Sequence, residues 1–191
     1  QLQAFEASDV LIFVEDGAVT AANIRHAQKV ANVFGGKVIL VQVLCEPVNG
    51  KGPIDPVEWD IKKQNTLKQL GVLSRGSERA SQTCTVELLE GQCISQIKAF
   101  IENRQGDIAA SPRFRSNSAW RLSETAWGVL SSQSAAVLML PDGVGTDTEV
   151  RYRRILLPLD GSSRAEIAIS TAIKLARAED ADLMLCYVVP A

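Results

Sequence analysis

Two carboxylates stand where an apolar run gives way to a glycine: Asp16-Gly17 after residues 10–14, and Asp160-Gly161 after residues 155–159. At the end of a strand such a carboxylate can accept hydrogen bonds from a ligand, or it can close the turn and cap the next helix. Ser162 and Ser163 follow the second pair, but that copy contains no histidine to activate a hydroxyl, so a helix cap is the expected role. Arg113, Arg115 and Arg121 form a basic cluster that suits a phosphate or an acidic partner through charge-assisted hydrogen bonds, or equally a solvated loop. The single histidine, His26, lies two positions from an apolar stripe and is expected to face water. Cys45, Cys84, Cys93 and Cys186 form no C-x-x-C pair. They read as free, buried thiols of a reducing cytoplasm. No ligand cluster surrounds His26, so no metal site is expected.

The elements that position these residues occur twice. Residues 10–44, VLIFVEDGAVTAANIRHAQKVANVFGGKVILVQVL, and residues 155–189, ILLPLDGSSRAEIAISTAIKLARAEDADLMLCYVV, both run apolar strand, Asp-Gly, amphipathic helix, turn, apolar strand. Asp16 aligns with Asp160 at an offset of 144, and Ala27 with Ala172 and Val43 with Val188 at 145, which places one inserted residue in the turn. A repeat this long means tandem domains. The first copy has room to finish a fold; the second holds only an opening βαβ.

In the first copy, Ile24, Ala27, Ala31 and Phe34 recur at helical spacing over 19–34, and Gly35-Gly36 ends that helix. Residues 38–44 suit a parallel strand buried on both faces. Asp55, Pro56 and Glu58 form a capping box for a second helix carrying Trp59, Ile61, Leu67 and Leu70, followed by a polar loop over 71–82. A strand at 84–89, a helix marked by Ile94, Ile97, Phe100 and Ile101, a strand at 107–111, a helix at 120–130 and a strand at 136–140 complete the pattern. Five strands alternating with helices predict an α/β, Rossmann-like parallel sheet with helices on both faces. The reading divides the chain into a domain at 1–141, a linker at 142–153 and a partial second copy at 154–191, whose helix starts with Ser163-x-x-Glu166.

The second copy closely resembles the opening of a universal stress protein domain, through Pro158-Leu159-Asp160-Gly161-Ser162 and Tyr187-Val188-Val189. The first copy resembles it more loosely, through Val14-Glu15-Asp16-Gly17, Gln42-Val43-Leu44, Glu90-Gly91, Gly106-Asp107-Ile108 and Val137-Leu138-Met139-Leu140. The resemblance implies a five-stranded parallel sheet of the universal-stress-protein type, with a partial βαβ second copy. It also implies ATP in some members, held by the aspartate after the first strand, by backbone near the end of the second and by a glycine-rich phosphate loop. Carried over, the cofactor-binding candidates are Asp16, Val43, Pro158, Asp160 and Val188. The phosphate-loop stretch, residues 111–130, has no glycine before Gly128; Pro112 and Arg115 fall on the first two loop glycines and Ser123-Glu124 on the last Gly-Ser. Pro112 has no N–H to offer a phosphate, and Glu124 is anionic. The expectation is no ATP in the first domain and ATP possible in a complete second one.

The 191 residues are 46% hydrophobic and 22% charged, with a net charge of −2. That near-neutral charge gives no reason to expect nucleic acid or a membrane surface as partner, and no apolar run approaches the ~20 residues that span a bilayer. The run Arg151-Tyr152-Arg153-Arg154 reads as a solvated linker, and Trp59, Trp120 and Trp127 as packing residues, the last two with a partner surface in view. No signal-peptide pattern opens the chain, and its start at Gln1 suggests that it is processed or cut from a longer one. The expected protein is a cytoplasmic, non-enzymatic regulatory or scaffold protein of a stress response. It would dimerise through residues 136–140 or the second copy and serve an unknown protein partner. The rival is an ATP-binding switch or ATPase whose site is completed by the second domain or another chain.

Overall fold

Apolar runs such as Val10–Val14 demand cover from two sides, and the fold supplies it: Val10, Leu11, Ile12 and Phe13 are all fully buried. The computed structural model describes residues 7–15, 19–45, 55–76, 84–104, 107–112, 124–131, 136–140 and 150–187. The chain forms two compact units, Gln1–Thr148 and Glu149–Ala191. The first contains β1 (Ser8–Phe13), α1 (Ala21–Phe34), β2 (Gly35–Cys45), α2 (Pro56–Gly76), β3 (Cys84–Gly91), α3 (Cys93–Glu102), β4 (Ile108–Pro112), α4 (Glu124–Ser131) and β5 (Ala136–Leu140). Its five strands are parallel in the order β3-β2-β1-β4-β5.

Alternation along the strands divides the core. Leu11, Phe13, Ile39 and Val41 point to one face, under Ile97 and Ile101 of α3 and Val129 of α4. Phe13 meets Phe100 edge-on, with ring centroids 6.4 Å apart. The intervening residues Val10, Ile12, Val38 and Leu40 point to the opposite face, against which α1 packs. Burial of each such side chain contributes ~1.5–3 kcal/mol. Gly128 lets α4 close on α3: a Cβ there would lie 3.2 Å from Ile97 Cδ1.

Local chemistry sets the element ends. Thr20 caps α1 with a reciprocal box: its Oγ1 accepts from the Asn23 N–H at 3.3 Å, and Asn23 Oδ1 accepts from the Thr20 N–H at 2.9 Å. Gly35 takes the left-handed φ of 72° at the C-cap. A Cβ on Gly36 would run into the Ser8 carbonyl. The two glycines therefore turn helix directly into strand, and β2 starts at Gly35, ahead of the apolar run.

Several expectations need correction. α1 is buried more widely than a single stripe, because Ala22, Asn23, Gln28 and Val30 join it. His26 is half-buried rather than solvated; burial, with the Lys29 charge beside it, lowers its imidazole pKa. α2 continues to Gly76 through the expected loop, and of its apolar residues Leu70 is buried while Ile61 and Leu67 are exposed. Asp55 does cap α2, but its Oδ1 accepts from the Val57 N–H at 2.9 Å rather than from Glu58. Pro112 is the last, buried residue of β4, paired with Leu140, rather than part of a loop. The four cysteines are free, but Cys45, Cys84 and Cys93 are only partly buried and Cys186 is exposed. Burial raises the Cys84 thiol to about 11.

The second unit is a single βαβ: β6 (Arg154–Leu159), α5 (Ser163–Glu179) and parallel β7 (Asp182–Tyr187). Its helix is capped by Ser162, not Ser163: Ser162 Oγ accepts from the Ala165 N–H at 3.2 Å. Arg151, Arg153 and Arg154 are exposed, as expected, but Tyr152 is partly buried; burial and the Glu179 charge push its phenol up to about 12.

Strand register also redraws the repeat. Ile12 pairs with Leu40 in the first unit and Leu157 with Leu185 in the second, 145 residues on in both strands. Ile12 and Leu157 are the buried, helix-side residues, whereas Leu156 is 63% exposed. Ala27 and Ala31 match the buried Ala172 and Ala176, and both helices end on a left-handed residue, Gly35 and Asp180. The offset is therefore 145 in both strands, in the helix body and at its C-cap, whereas the N-caps Thr20 and Ser162 are 142 apart. The residue equivalent to Asp160 is Glu15, not Asp16.

Candidate functional site

In an open parallel sheet, ligands bind beyond the carboxyl ends of the strands where the winding direction reverses. In the first unit that point lies between β1 and β4, since β1 leads to β2 and β3 on one side while β4 and β5 lie on the other. Val14 and Glu15 extend β1 past the sheet, with the Val14 N–H donating to the Val41 carbonyl at 2.8 Å. Across the reversal, β4 ends in Ser111 and Pro112, and α4 starts at Glu124.

Glu15 spans the gap. Its Oε1 accepts a hydrogen bond from the Thr125 N–H at 3.2 Å. Thr125 lies in the first turn of α4, where unpaired N–H groups and the helix dipole favour an anion. The chain thus sets its own carboxylate at the spot where a helix amino end attracts a negative group. Glu15, Thr125 and their contact were missed from sequence. The Asp-Gly pair drew attention one residue too far, and the apolar phase of the strand would have pointed to Glu15.

Beside this edge, on the α2 side, lies a groove of about 810 Å³ lined by Val14, Glu15, Val19, Gln42 and one face of α2. One wall is fixed by a polar clamp: Trp59 Nε1 donates to Glu90 Oε2 at 2.8 Å, and Lys63 Nζ pairs with Glu90 Oε1. These two donors hold the Glu90 carboxyl below its ordinary pKa. Trp59, expected simply to pack, also stacks under Lys62, whose Nζ is 5.7 Å from the ring centroid.

Among the sequence candidates, Asp16 and Val188 lie outside the described residues, as do Arg113, Arg115, Trp120, Arg121 and Ser123. Val43 sits in β2 opposite Leu89, packed against the core cluster of Phe13, Val41 and Ile97. Trp127 is 58% exposed. In the second unit Pro158 is in β6, paired with Cys186, and Asp160 follows the strand. Asp160 is exposed; its Oδ1 accepts from the Ser162 N–H at 2.9 Å, and bonds from the Ser162 side chain and backbone lower its pKa. Gly161 has a φ of 80°, and a Cβ there would lie 3.1 Å from the Tyr187 hydroxyl. The fold thus brings Pro158, Asp160 and Tyr187 to one strand edge. Among the described residues no group of three or more His, Cys, Asp and Glu side chains is placed to hold a metal ion. Among them, too, no helix is long and apolar enough to cross a membrane.

The profile of the universal stress protein family matches residues 151–191. Over that segment the chain is similar to the universal stress protein family. The fold agrees. A universal stress protein from Archaeoglobus fulgidus shares it at a TM-score of 0.71 and 15% identity, over 98% of this chain and 78% of its own. The universal stress protein UspA from Lactobacillus plantarum superposes at 0.55 and 14% identity, over 71% of this chain and 98% of its own. An Archaeoglobus fulgidus universal stress protein in complex with dAMP superposes at 0.50 and 17% identity, over 70% of this chain and 97% of its own. No curated protein matches the sequence significantly. The five-stranded sheet and the βαβ are therefore those of a universal stress protein fold.

Proposed function

We propose that this chain is a universal-stress-type regulatory or scaffold protein of a stress response, without catalytic activity, whose first unit does not hold ATP. The observation that carries this reading is the contact of Glu15 with Thr125. A phosphate brought to the amino end of α4 would meet a carboxylate already bonded there, and like charges at that range repel. Pro112, closing β4, has no N–H to give a phosphate oxygen. The residues of the first unit thus fit a triphosphate poorly.

The second unit is the one that keeps nucleotide-side residues. Pro158 and Asp160 stand at the end of β6, Asp160 open to solvent and Gly161 free of a side chain. With Val188 they would hold the base and ribose of ATP once a phosphate-binding segment is supplied from elsewhere. The Archaeoglobus protein in complex with dAMP is a nucleotide-bound example on the same fold. The exposed Asp160 also favours the second reading, an ATP-binding switch or ATPase completed by the second unit or another chain. Calorimetric titration with ATP, ADP and AMP separates the two. Absence of heat supports the scaffold reading. Micromolar ATP binding abolished by Asp160→Ala supports the switch, and binding abolished by substitutions at Pro112 or Thr125 would overturn the account of the first unit.

The reading includes a cytoplasmic homodimer formed through β5 or the second unit, an unidentified protein partner, and neither nucleic acid nor membrane. β5 supports the dimer because it is a sheet edge, paired on one side only by β4, with Met139 37% exposed.

A further inference from the structure

α1 buries eight of its 14 residues, whereas α2 buries three of its 21: Thr66, Leu70 and Ser74. Val57, Ile61 and Val72 on α2 are 67%, 56% and 62% exposed. So little buried apolar surface leaves the polar contacts at its two ends to decide where the helix sits. At the amino half, Glu90 at the end of β3 receives Trp59 Nε1 and Lys63 Nζ. At the carboxyl half, Ser74 Oγ donates to the Cys84 carbonyl at 2.8 Å, beside the fully buried Leu70. The two ends are unequal: the Glu90 contacts are solvent-exposed, whereas the other end is anchored by buried residues.

We propose that α2 is a hinged wall of the groove. Glu90 is its latch, and the helix swings about the Leu70–Ser74 end when Trp59 and Lys63 release the carboxylate. Opening costs few apolar contacts, so its free energy lies well below that of global unfolding. Once released, the amino half loses the packing on which most helical stability rests, so its backbone hydrogen bonds open to exchange. The motion widens the groove of about 810 Å³ above Val14, Val19 and Gln42 and bares the β2–β3 surface against which α2 packs. The device is independent of whether either unit binds a nucleotide.

Hydrogen–deuterium exchange on the whole chain tests it. Amides of residues 56–69 should exchange as one block, at least about tenfold faster than those of α1, while the anchored 70–76 end stays slower. Glu90→Gln should accelerate that block roughly three- to tenfold and leave α1 and α3 unchanged. Trp59→Phe, which keeps an aromatic ring and removes one donor, gives the same local acceleration and serves if Glu90→Gln does not fold. Exchange of α2 at the rate of α1, or equal acceleration of every helix in both variants, overturns the proposal.

Discussion

Glu15 and Thr125 are 110 residues apart in sequence, and the carboxylate of one accepts the backbone N–H of the other at 3.2 Å. The bond ties the end of β1 to the start of α4 across the reversal of the sheet. Glu15→Ala should lower the stability of the first unit by ~1 kcal/mol, combining a lost charged hydrogen bond with a lost helix-dipole partner. Glu15→Gln, which keeps an acceptor without the charge, should fall between. Urea denaturation of the three proteins decides it; equal midpoints would mean that the contact contributes nothing.

Gln28 is buried, and neither atom of its amide has a hydrogen-bond partner among the described residues. A buried polar group left unsatisfied costs ~1–3 kcal/mol. Gln28→Met keeps the length and removes the polar atoms, so it should stabilise the first unit by ~1 kcal/mol. Thermal unfolding measures this, and a lower melting temperature would reveal a partner for the amide.

The two glycines after α1 should respond differently to alanine. Gly35 needs its left-handed φ, and Gly35→Ala should cost ~1 kcal/mol. Gly36→Ala drives a methyl into the Ser8 carbonyl, so β1 and β2 must separate locally. It should cost ~2 kcal/mol or more. Guanidinium unfolding of both variants gives the order, and the reverse order would contradict the packing.

Asp107 lies in a charged cluster at the opposite edge of the sheet. Its Oδ1 accepts the Asp9 N–H at 2.9 Å, and Arg104 stands 3.9 Å from it, 4.0 Å from Asp9 and 3.7 Å from Glu87. Burial above all raises its pKa from the ordinary 3.8; the Asp9 charge adds to this, while the Asp9 N–H, Arg104 and Lys37 oppose it. The folded state therefore binds this proton more tightly than the unfolded chain. The stability it contributes is full below 3.8 and is lost as pH rises through the raised value. Asp107→Asn keeps an acceptor for Asp9 and removes that loss. Its stability relative to the parent should rise between about pH 3 and about pH 6, as urea midpoints across the range will show.

If β5 pairs two copies, Met139→Lys should convert the dimer to a monomer by placing a charge on the exposed edge. Analytical ultracentrifugation reads the mass directly. A dimer that persists moves the interface to the second unit.

The sheet was legible because its strands are nearly continuous apolar runs and its helices carry a 3.6-residue stripe. β5 starts and ends where the pattern places it, and β6 ends there and starts one residue earlier. α2 was misread because it has little apolar stripe to mark its end: its exposed surface carries polar and apolar residues alike. The repeat was aligned on Asp-Gly, a turn signal, although what a sheet preserves is the side of the strand each residue faces. Ile12 and Leu157 keep that side, and counting on from them Glu15, not Asp16, corresponds to Asp160.

By itself the sequence determined the class of fold, the twofold occurrence of strand–helix–strand and the turn chemistry of Gly35, Gly36 and Gly161, because apolar period and glycine are local properties. Only the tertiary structure decided that Glu15 bonds to Thr125, that Glu90 holds Trp59 and Lys63, and that Gln28 has no partner among the described residues. Each depends on which strands become neighbours and on which side of them a helix lies. Register and crossover fix those distances, and no short stretch of sequence contains them.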